Sequence, residues 1–482
     1  MALTDEDLKA VLPDGVDSEN PGKYQALLDD LQGNILRGHG RDFSIHLFLQ
    51  FNAKTDRQKQ LIKQWIAGFT TQCVTSANKQ ASDAKRYRQD GTSGGVFANF
   101  FLSMTGYSQL GFGYGATPND QLFRTGMKDL QSLGVLADPS PRNPGFPFNR
   151  LWDKGFGDRI DALVLLADDD YDRLQQTADR LQQELRSLAK ILRRESGFRL
   201  KNARGQTIEH FGFVDGVSQP LFLKRDIDKA RTQDDNFDQW DPRAPLSLVV
   251  VKDPNGKTED SYGSFLVYRK LEQDVRGFRQ QQQQLASALG ISVELAEAFT
   301  VGRFRDGTPV TLSDVPKAEP IANNFTYEAD MEGTKCPFHA HIRKTNPRGD
   351  TSRFNPPDIP LEEEKGHRIA RRGISYGEND PTAEPEKGSG LLFLCFQSNI
   401  VDQFGTMQTI WSNSAKFIKD RVGRDPIIGQ GGDLPDGTNQ HFWPKQWDQA
   451  DFQAFNFTLW IRMKGGEYFF APSISFLKSL CE

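Results

Sequence analysis

Three short segments of this sequence gather side chains able to move protons, hold a metal or stabilise a developing negative charge. The first is Glu209-His-Phe-Gly-Phe-Val-Asp-Gly-Val-Ser-Gln-Pro220. Asp215 sits there between apolar neighbours and a glycine, on what reads as a tight turn. A carboxylate in apolar surroundings has its pKa pushed up, which suits proton transfer near neutral pH. The same residues also fit an Asx-turn closed by Asp215 and Gly216, a purely structural use. The second segment, Cys336-Pro-Phe-His-Ala-His-Ile-Arg-Lys-Thr-Asn-Pro-Arg348, offers two imidazoles two residues apart and then three cations. A neutral imidazole is the usual single protein ligand of haem iron, and nearby Arg or Lys can pair with the propionates. Extended backbone would put both rings on one face, so spacing does not choose between His339 and His341, and either ring also fits a satisfied structural histidine. The third, His367-Arg-Ile-Ala-Arg-Arg-Gly-Ile-Ser-Tyr-Gly377, sets an arginine pair before a glycine turn. Such a pair is a solvated face unless a buried anion awaits it.

Other common catalytic patterns are missing. The seven histidines form no HExxH, and Cys336 with His339 and His341 lacks the further ligands of a closed zinc site. The chain contains no GxGxxG, no GxxxxGK[ST] and no GxSxG.

The elements that must position these residues follow from hydrophobic periodicity. Phe43-Ser-Ile-His-Leu-Phe-Leu-Gln-Phe51 reads as a strand, residues 97–113 repeat the idea, and Asp161–Ala167 is a buried strand. Asp168, Asp169 or Asp170 can cap the helix that follows. That helix is marked by Leu174, Ala178, Leu181, Leu185, Leu188 and Leu192, one apolar stripe against a charged face. Beyond residue 200 the grammar repeats. Ser264–Tyr268, Gly390–Phe396 and Glu467–Ala471 read as strands, Asn399–Phe417 as helical, and the run Gln280–Gln284 lies in a helix. Residues 226–262 and 306–390 are rich in Asp, Pro, Gly and Asn and read as long loops, a place where function concentrates. Two α+β halves with antiparallel sheets fit these patterns.

At 482 residues the chain exceeds a usual single core, so two domains or an internal doubling are expected. The 35 Phe far outnumber 10 Tyr and 7 Trp, an excess suited to core and also to an apolar cavity. A net charge of −5 with interspersed signs gives no reason to expect nucleic acid or an anionic membrane as partner. No stretch approaches the roughly 20 apolar residues of a membrane span. Residues 1–30 are polar and acidic and read as a helical arm or leader. Their first stretch, MALTDEDLKAVLPDG, has no basic region, apolar core or twin-arginine pair. Cys73, Cys336, Cys395 and Cys481 are scattered. A cytoplasmic protein without structural disulfides is therefore expected.

Taken together, the three segments resemble the dye-decolorizing peroxidases. GFVDG (212–216) is similar to that family's GxxDG signature, CPFHAHIRKTNPR to its proximal-histidine motif and RIARRGISYG to its distal-arginine motif, in the same order. LQGNILRGHGR (31–41), GSFLVYRKLEQDV (263–275), VGRFRDGTPV (301–310) and GGEYFFAPS (465–473) extend the resemblance over nearly the whole chain. It implies an α+β fold of two ferredoxin-like domains with antiparallel sheets and covering helices. These are expected at residues 1–200, with the leader 1–30, and at 201–482, the second binding one haem b per chain. It also implies His341 as the axial ligand of the iron, Asp215 as the distal acid–base residue and Arg371 as the distal arginine. Arg343 and Arg348 are the expected propionate partners. Asp402, in NIVDQF, is expected to accept the second ring N–H of His341.

The implied activity is a haem peroxidase that uses hydrogen peroxide to oxidise dyes, phenols and other aromatic reductants in one-electron steps. Asp215 would carry the proton and Arg371 would stabilise negative charge as the O–O bond breaks. Reductants too large for a buried pocket would deliver electrons through surface Trp or Tyr. The candidates are the ten Tyr together with Trp65, Trp152, Trp240, Trp411, Trp443, Trp447 and Trp460. The competing reading is a haem-binding protein of haem or iron handling with incidental peroxidase activity. Asp215 and Arg371 favour catalysis, because binding alone needs only a ligand and an apolar slot.

Overall fold

Mostly buried apolar runs build the main strands of this chain, and capped amphipathic segments build the helices between them. A computed structural model describes residues 2–138, 152–317, 321–354, 359–431 and 440–482. In the N-terminal half the strands are β1 (Phe43–Phe51), β2 (Phe97–Leu102), β3 (Ala162–Asp168) and β4 (Ala189–Phe198). The C-terminal half adds β5 (Val251–Lys252), β6 (Tyr262–Gln273), β7 (Ala370–Arg371), β8 (Ile374–Tyr376), β9 (Gly390–Gln397), β10 (His441–Pro444), β11 (Phe452–Phe455) and β12 (Ile461–Ala471).

Ten of these strands form one antiparallel sheet in the order β5-β6-β12-β2-β3-β1-β4-β8-β9-β7, and a further β6–β9 pairing closes it into a barrel. The order exposes a duplication. Each half contributes four barrel strands, and numbered by their appearance within the half both sets run second, third, first, fourth: β2-β3-β1-β4, then β8-β9-β6-β12. This is the ferredoxin-like arrangement, twice. The seams are short: β4 meets β8 at Phe198 and Ser375, and β12 meets β2 at Phe470 and Leu102. Closure leaves the eight ring strands without an open edge.

Helices cover the outside at matching points. α1 (Asp56–Cys73) follows β1, with Thr55 and Gln58 in a capping box and Ile62, Ile66 and Phe69 on its buried face. α2 (Tyr171–Glu184) follows β3, and of the three candidate caps it is Asp170 whose carboxylate accepts the Arg173 N–H at 3.0 Å. α3 (Val275–Leu289) follows β6, then α4 (Val293–Val301) and, after a long excursion, α5 (His341–Thr345). A wide-turned, π-type helix over Val401–Gly405 and Met407–Ser412 follows β9.

Three expectations are corrected. The α2 stripe does not reach Leu192: the helix ends at Glu184, and Ile191 and Leu192 lie in β4. The second strand ends at Leu102, where Ser103 caps a short helix, Met104–Gln109. The region 306–390 holds α5, two more short helices (Asp350–Phe354, Leu361–Gly366) and the strands β7 and β8. Most of the Phe excess is core, as at Phe48, Phe100, Phe101, Phe469 and Phe470, in one apolar cluster that runs through both halves. Among the described residues no helix is long and apolar enough to cross a membrane.

Candidate active site

An apolar cavity opens on the C-terminal half, and its lining residues all lie between Glu209 and Ile461. Its walls come from the 209–220 loop, β6, α4, α5, β9 and the π-type helix, with Leu271, Phe393, Phe404, Met407, Ile427 and Ile428 supplying much of the apolar surface. Asp215, Arg371, His341 and Arg348 all line it.

Asp215 and Arg371 meet there. Asp215 is held by its own N–H, which donates to the Thr207 carbonyl at 3.1 Å. Gly216, at φ +78°, donates its N–H to Asp215 Oδ1 at 2.6 Å, and Arg371 Nη1 approaches the same oxygen at 3.3 Å. Asp215 Oδ2 has no partner among the described residues. Gly216 takes a left-handed conformation there, and its N–H anchors one carboxylate oxygen while the other is left available. Arg371 is fixed on three sides: β7 pairs it with Cys395, its N–H donates to Gln219 Oε1 at 3.0 Å, and Nη2 donates to the Ser218 carbonyl at 3.0 Å. Both side chains are about one-third exposed, so the pair is reachable from solvent.

The two imidazoles part company. His341 begins α5 and lines the cavity, and its Nδ1 lies 2.8 Å from Asp425 Oδ2. The Asp425 side chain is fully buried, and its Oδ1 accepts the N–H groups of Ile427 (2.7 Å) and Ile428 (3.1 Å). A carboxylate on Nδ1 selects the tautomer that leaves the Nε2 lone pair free. His339 is buried elsewhere, with Nδ1 donating to the Val422 carbonyl at 3.1 Å and its ring 4.2 Å from that of Trp443. Burial pushes its pKa well below the ordinary histidine value. A helix that starts at His341 breaks the extended geometry in which both rings would have shared a face.

Asp402 does not support His341. Its carboxylate accepts from Asn399 Nδ2 at 2.6 Å, at the start of the π-type helix, and its carbonyl meets His367. The carboxylate on His341 is Asp425, in a loop beyond that helix. Arg343 is likewise corrected as a propionate partner. It is fully buried, with Nε on Asp350 (2.7 Å) and Nη1 on Asp330 (2.9 Å), and it is not among the cavity-lining residues. Two residues along the same short helix, it projects to a different side from His341.

The cationic wall consists of other arginines. Arg348 does line the cavity, donating through Nη1 to the carbonyls of Asn323 (2.6 Å) and Phe325 (2.7 Å). Arg303 donates to the carbonyls of Gly307 and Ala322, both at 2.8 Å. Arg368 donates to those of Lys365, Pro242 and Arg243. None of the three has a carboxylate partner among the described residues. Burial pulls Arg348 down to about 9 and Arg303 and Arg368 to about 10. Guanidinium groups withdrawn from water and hydrogen-bonded to carbonyl oxygens without a carboxylate leave room for an anion. Arg303 and Arg368 were within motifs noted in the sequence, VGRFRDGTPV and HRIARRG, but nothing local separated them from surface cations. Asp425 had no signal at all. Of the tryptophans, Trp240 lines the cavity, while Trp65, Trp447 and Trp460 are partly exposed.

A doubled α+β barrel with such a cavity is the architecture of a class of peroxidases, and comparison with known proteins shows the match. Residues 30–199 match the DyP dimeric alpha+beta barrel domain, and residues 326–424 match the Dyp-type peroxidase C-terminal family. The chain belongs to the dye-decolorizing, or DyP-type, peroxidase family. It is 38% identical over 478 residues to the multifunctional dye peroxidase DyP2 of an Amycolatopsis species, covering 95% of this chain and 97% of that one. The crystal structure of a DyP-type peroxidase from an Anabaena species superposes with a TM-score of 0.94 at 55% identity, over 99% of this chain and 100% of the other. A fungal DyP-type peroxidase from Auricularia auricula-judae does so with a TM-score of 0.74 at 25% identity, over 94% and 99%. The protein is accordingly a peroxidase acting on hydrogen peroxide.

Proposed function

We propose that this peroxidase binds one haem b per chain in the cavity of its C-terminal half, where His341 Nε2 would hold the iron, and oxidises dyes, phenols and similar aromatic reductants. The observation that carries the reading is the donor set. An imidazole fixed at Nδ1 by a buried carboxylate keeps Nε2 free, inside apolar walls that also present three arginines lacking a carboxylate. A flat apolar ring with one metal at its centre and carboxylates at its edge satisfies all three features. Arg303, Arg348 and Arg368 would pair with the propionates. We also propose a domain division near residue 200, supported by the last N-terminal strand ending at Phe198 and by a cavity lined only from Glu209 onward.

The chemistry that haem supplies when bound is two-electron reduction of peroxide followed by one-electron oxidation of reductants. The chain's own groups handle protons and charge. Asp215 Oδ2, the oxygen without a protein partner, takes the proton of the entering peroxide and returns it to the oxygen that leaves as water. Oδ1, tied to the Gly216 N–H, keeps the carboxylate aimed while this happens. Arg371 presents a fixed positive charge to the oxygen on which negative charge builds, held in place by Ser218 and Gln219. His341 is kept strongly electron-donating by Asp425.

Haem titration of the apoprotein tests the reading. Wild type and His339→Ala should both develop an intense Soret band and bleach an aromatic dye with peroxide, whereas His341→Ala should hold haem weakly or lose it on gel filtration. Haem dimethyl ester, which lacks the propionate charges, should bind more weakly than haem. Retention by His341→Ala with loss in His339→Ala would reverse the ligand assignment, and equal affinity for the ester would remove the arginines from it.

A further inference from the structure

Glu209 is the other carboxylate on the cavity wall besides Asp215, and it has so far been given no role. Its side chain lies inside the loop that leads to Asp215. Oε2 accepts the Phe211 N–H at 2.9 Å and Gln273 Nε2 at 2.5 Å, and Oε1 accepts the Phe213 N–H at 3.1 Å. The backbone closes around this carboxylate. Gly212, at φ +99°, donates its N–H to the Glu209 carbonyl at 2.8 Å, and the Glu209 N–H donates to the Phe213 carbonyl at 3.2 Å. Ile208 and Val214 form an isolated antiparallel bridge, and Asp215 is the next residue out.

Glu209 has no ion-pair partner among the described residues, and burial pushes its pKa up. Glu209 is half-buried; a carboxylate withdrawn from water without a counter-cation costs a fold stability, and plain space-filling would be served better by an apolar side chain. What only a carboxylate supplies here is two acceptor oxygens for three donors converging from different directions. An amide of the same shape would turn its NH2 toward a donor. Gln273, the last residue of β6, ties the carboxylate to the barrel wall, and Phe211 stacks on Phe278 of α3 with ring centres 3.9 Å apart. The loop is therefore fastened at its middle to two rigid elements, to β6 through Glu209 and to α3 through Phe211.

We propose that Glu209 is a positioning residue of the peroxide site, its carboxylate folding the 209–215 loop so that Asp215 meets Arg371. The proposal rests on Asp215 being the proton-transfer residue, and a double-mutant cycle on the haem-loaded enzyme separates the two claims. Glu209→Gln should keep its haem content and lower the rate of peroxide consumption by about 10- to 100-fold, the usual effect of misplacing a reacting group by around an ångström. Amide exchange in peptides covering 209–216 should quicken while the rest of the barrel keeps its protection. In an Asp215→Asn background the same substitution should have no further effect on rate, because the group it positions is gone. Gln273→Leu removes one of the three donors from outside the loop. It should give a smaller loss that also disappears with Asp215→Asn, and it carries the test if Glu209→Gln does not fold. A Glu209→Gln enzyme with the wild-type rate, or an equal fold-loss with and without Asp215, overturns the positioning role alone. If Asp215→Asn itself leaves the rate unchanged, the proton-transfer assignment falls and the positioning role falls with it.

Discussion

His341 gets its orientation from Asp425, 84 positions further along the chain, and this pairing is the residue-scale feature the sequence hid most completely. Asp402, in NIVDQF, lies nearer in the chain, but its carboxylate serves the start of the π-type helix by binding Asn399. The difference is testable. Asp425→Asn should weaken haem affinity by about 10- to 100-fold, the usual effect of losing the carboxylate behind a metal-bound histidine, while Asp402→Asn should leave haem titration curves unchanged. The reverse result would restore Asp402. Residue types in tight local motifs were legible: Asp215 beside Gly216, and Arg371 before the Gly373 turn. Contacts made across the fold were not, because Arg303, Arg343 and Arg368 look alike until their partners are known. Arg343 is hydrogen-bonded to two aspartates and Arg303 to carbonyl oxygens, and that distinction exists only in three dimensions.

At the scale of elements, β1, β3, β6, β9 and β12 could be read because buried strands are short apolar runs bounded by polar residues. α2 was overread because Leu188 and Leu192 continue its stripe by chance of phase, although the chain has already turned into β4. The strand β1 also carries a pH dependence. His46 is buried in it, set edge-on to Tyr268 at 5.7 Å, and burial pulls its pKa from the ordinary 6.5 to about 3. The unfolded chain binds a proton at His46 below about pH 6.5 and the folded chain does not until about pH 3. Stability is therefore lost as pH falls through that window, by about 1.4 kcal/mol per pH unit. His46→Leu should remove this contribution. Urea unfolding at pH 7.5 and at pH 4.5 should show a smaller acid destabilisation in His46→Leu than in wild type, and an identical pH response in the two proteins would contradict the burial argument.

For the whole molecule, the repeated grammar of the two halves pointed to a doubling, and the matching strand order of β2-β3-β1-β4 and β8-β9-β6-β12 shows it. The sequence did not show that the two sheets join edge to edge into one closed barrel, because the seams are short and bring together Phe198 with Ser375 and Phe470 with Leu102, pairs far apart in the chain. The two halves share a fold and differ in use. The N-terminal half is covered closely by α1 and α2, whereas the C-terminal half carries the long 306–390 excursion that delivers His341, Arg348 and Arg371 to one cavity. Asp215 and Arg371 are proposed to act together on peroxide, one by moving a proton and the other by holding charge. Rapid mixing of the haem-loaded enzyme with hydrogen peroxide tests this most directly. At full haem content Asp215→Asn should lose about 10²–10⁴ in rate, and Arg371→Leu should lose about 10²–10³. An Asp215→Asn enzyme with the wild-type rate would contradict the proposal.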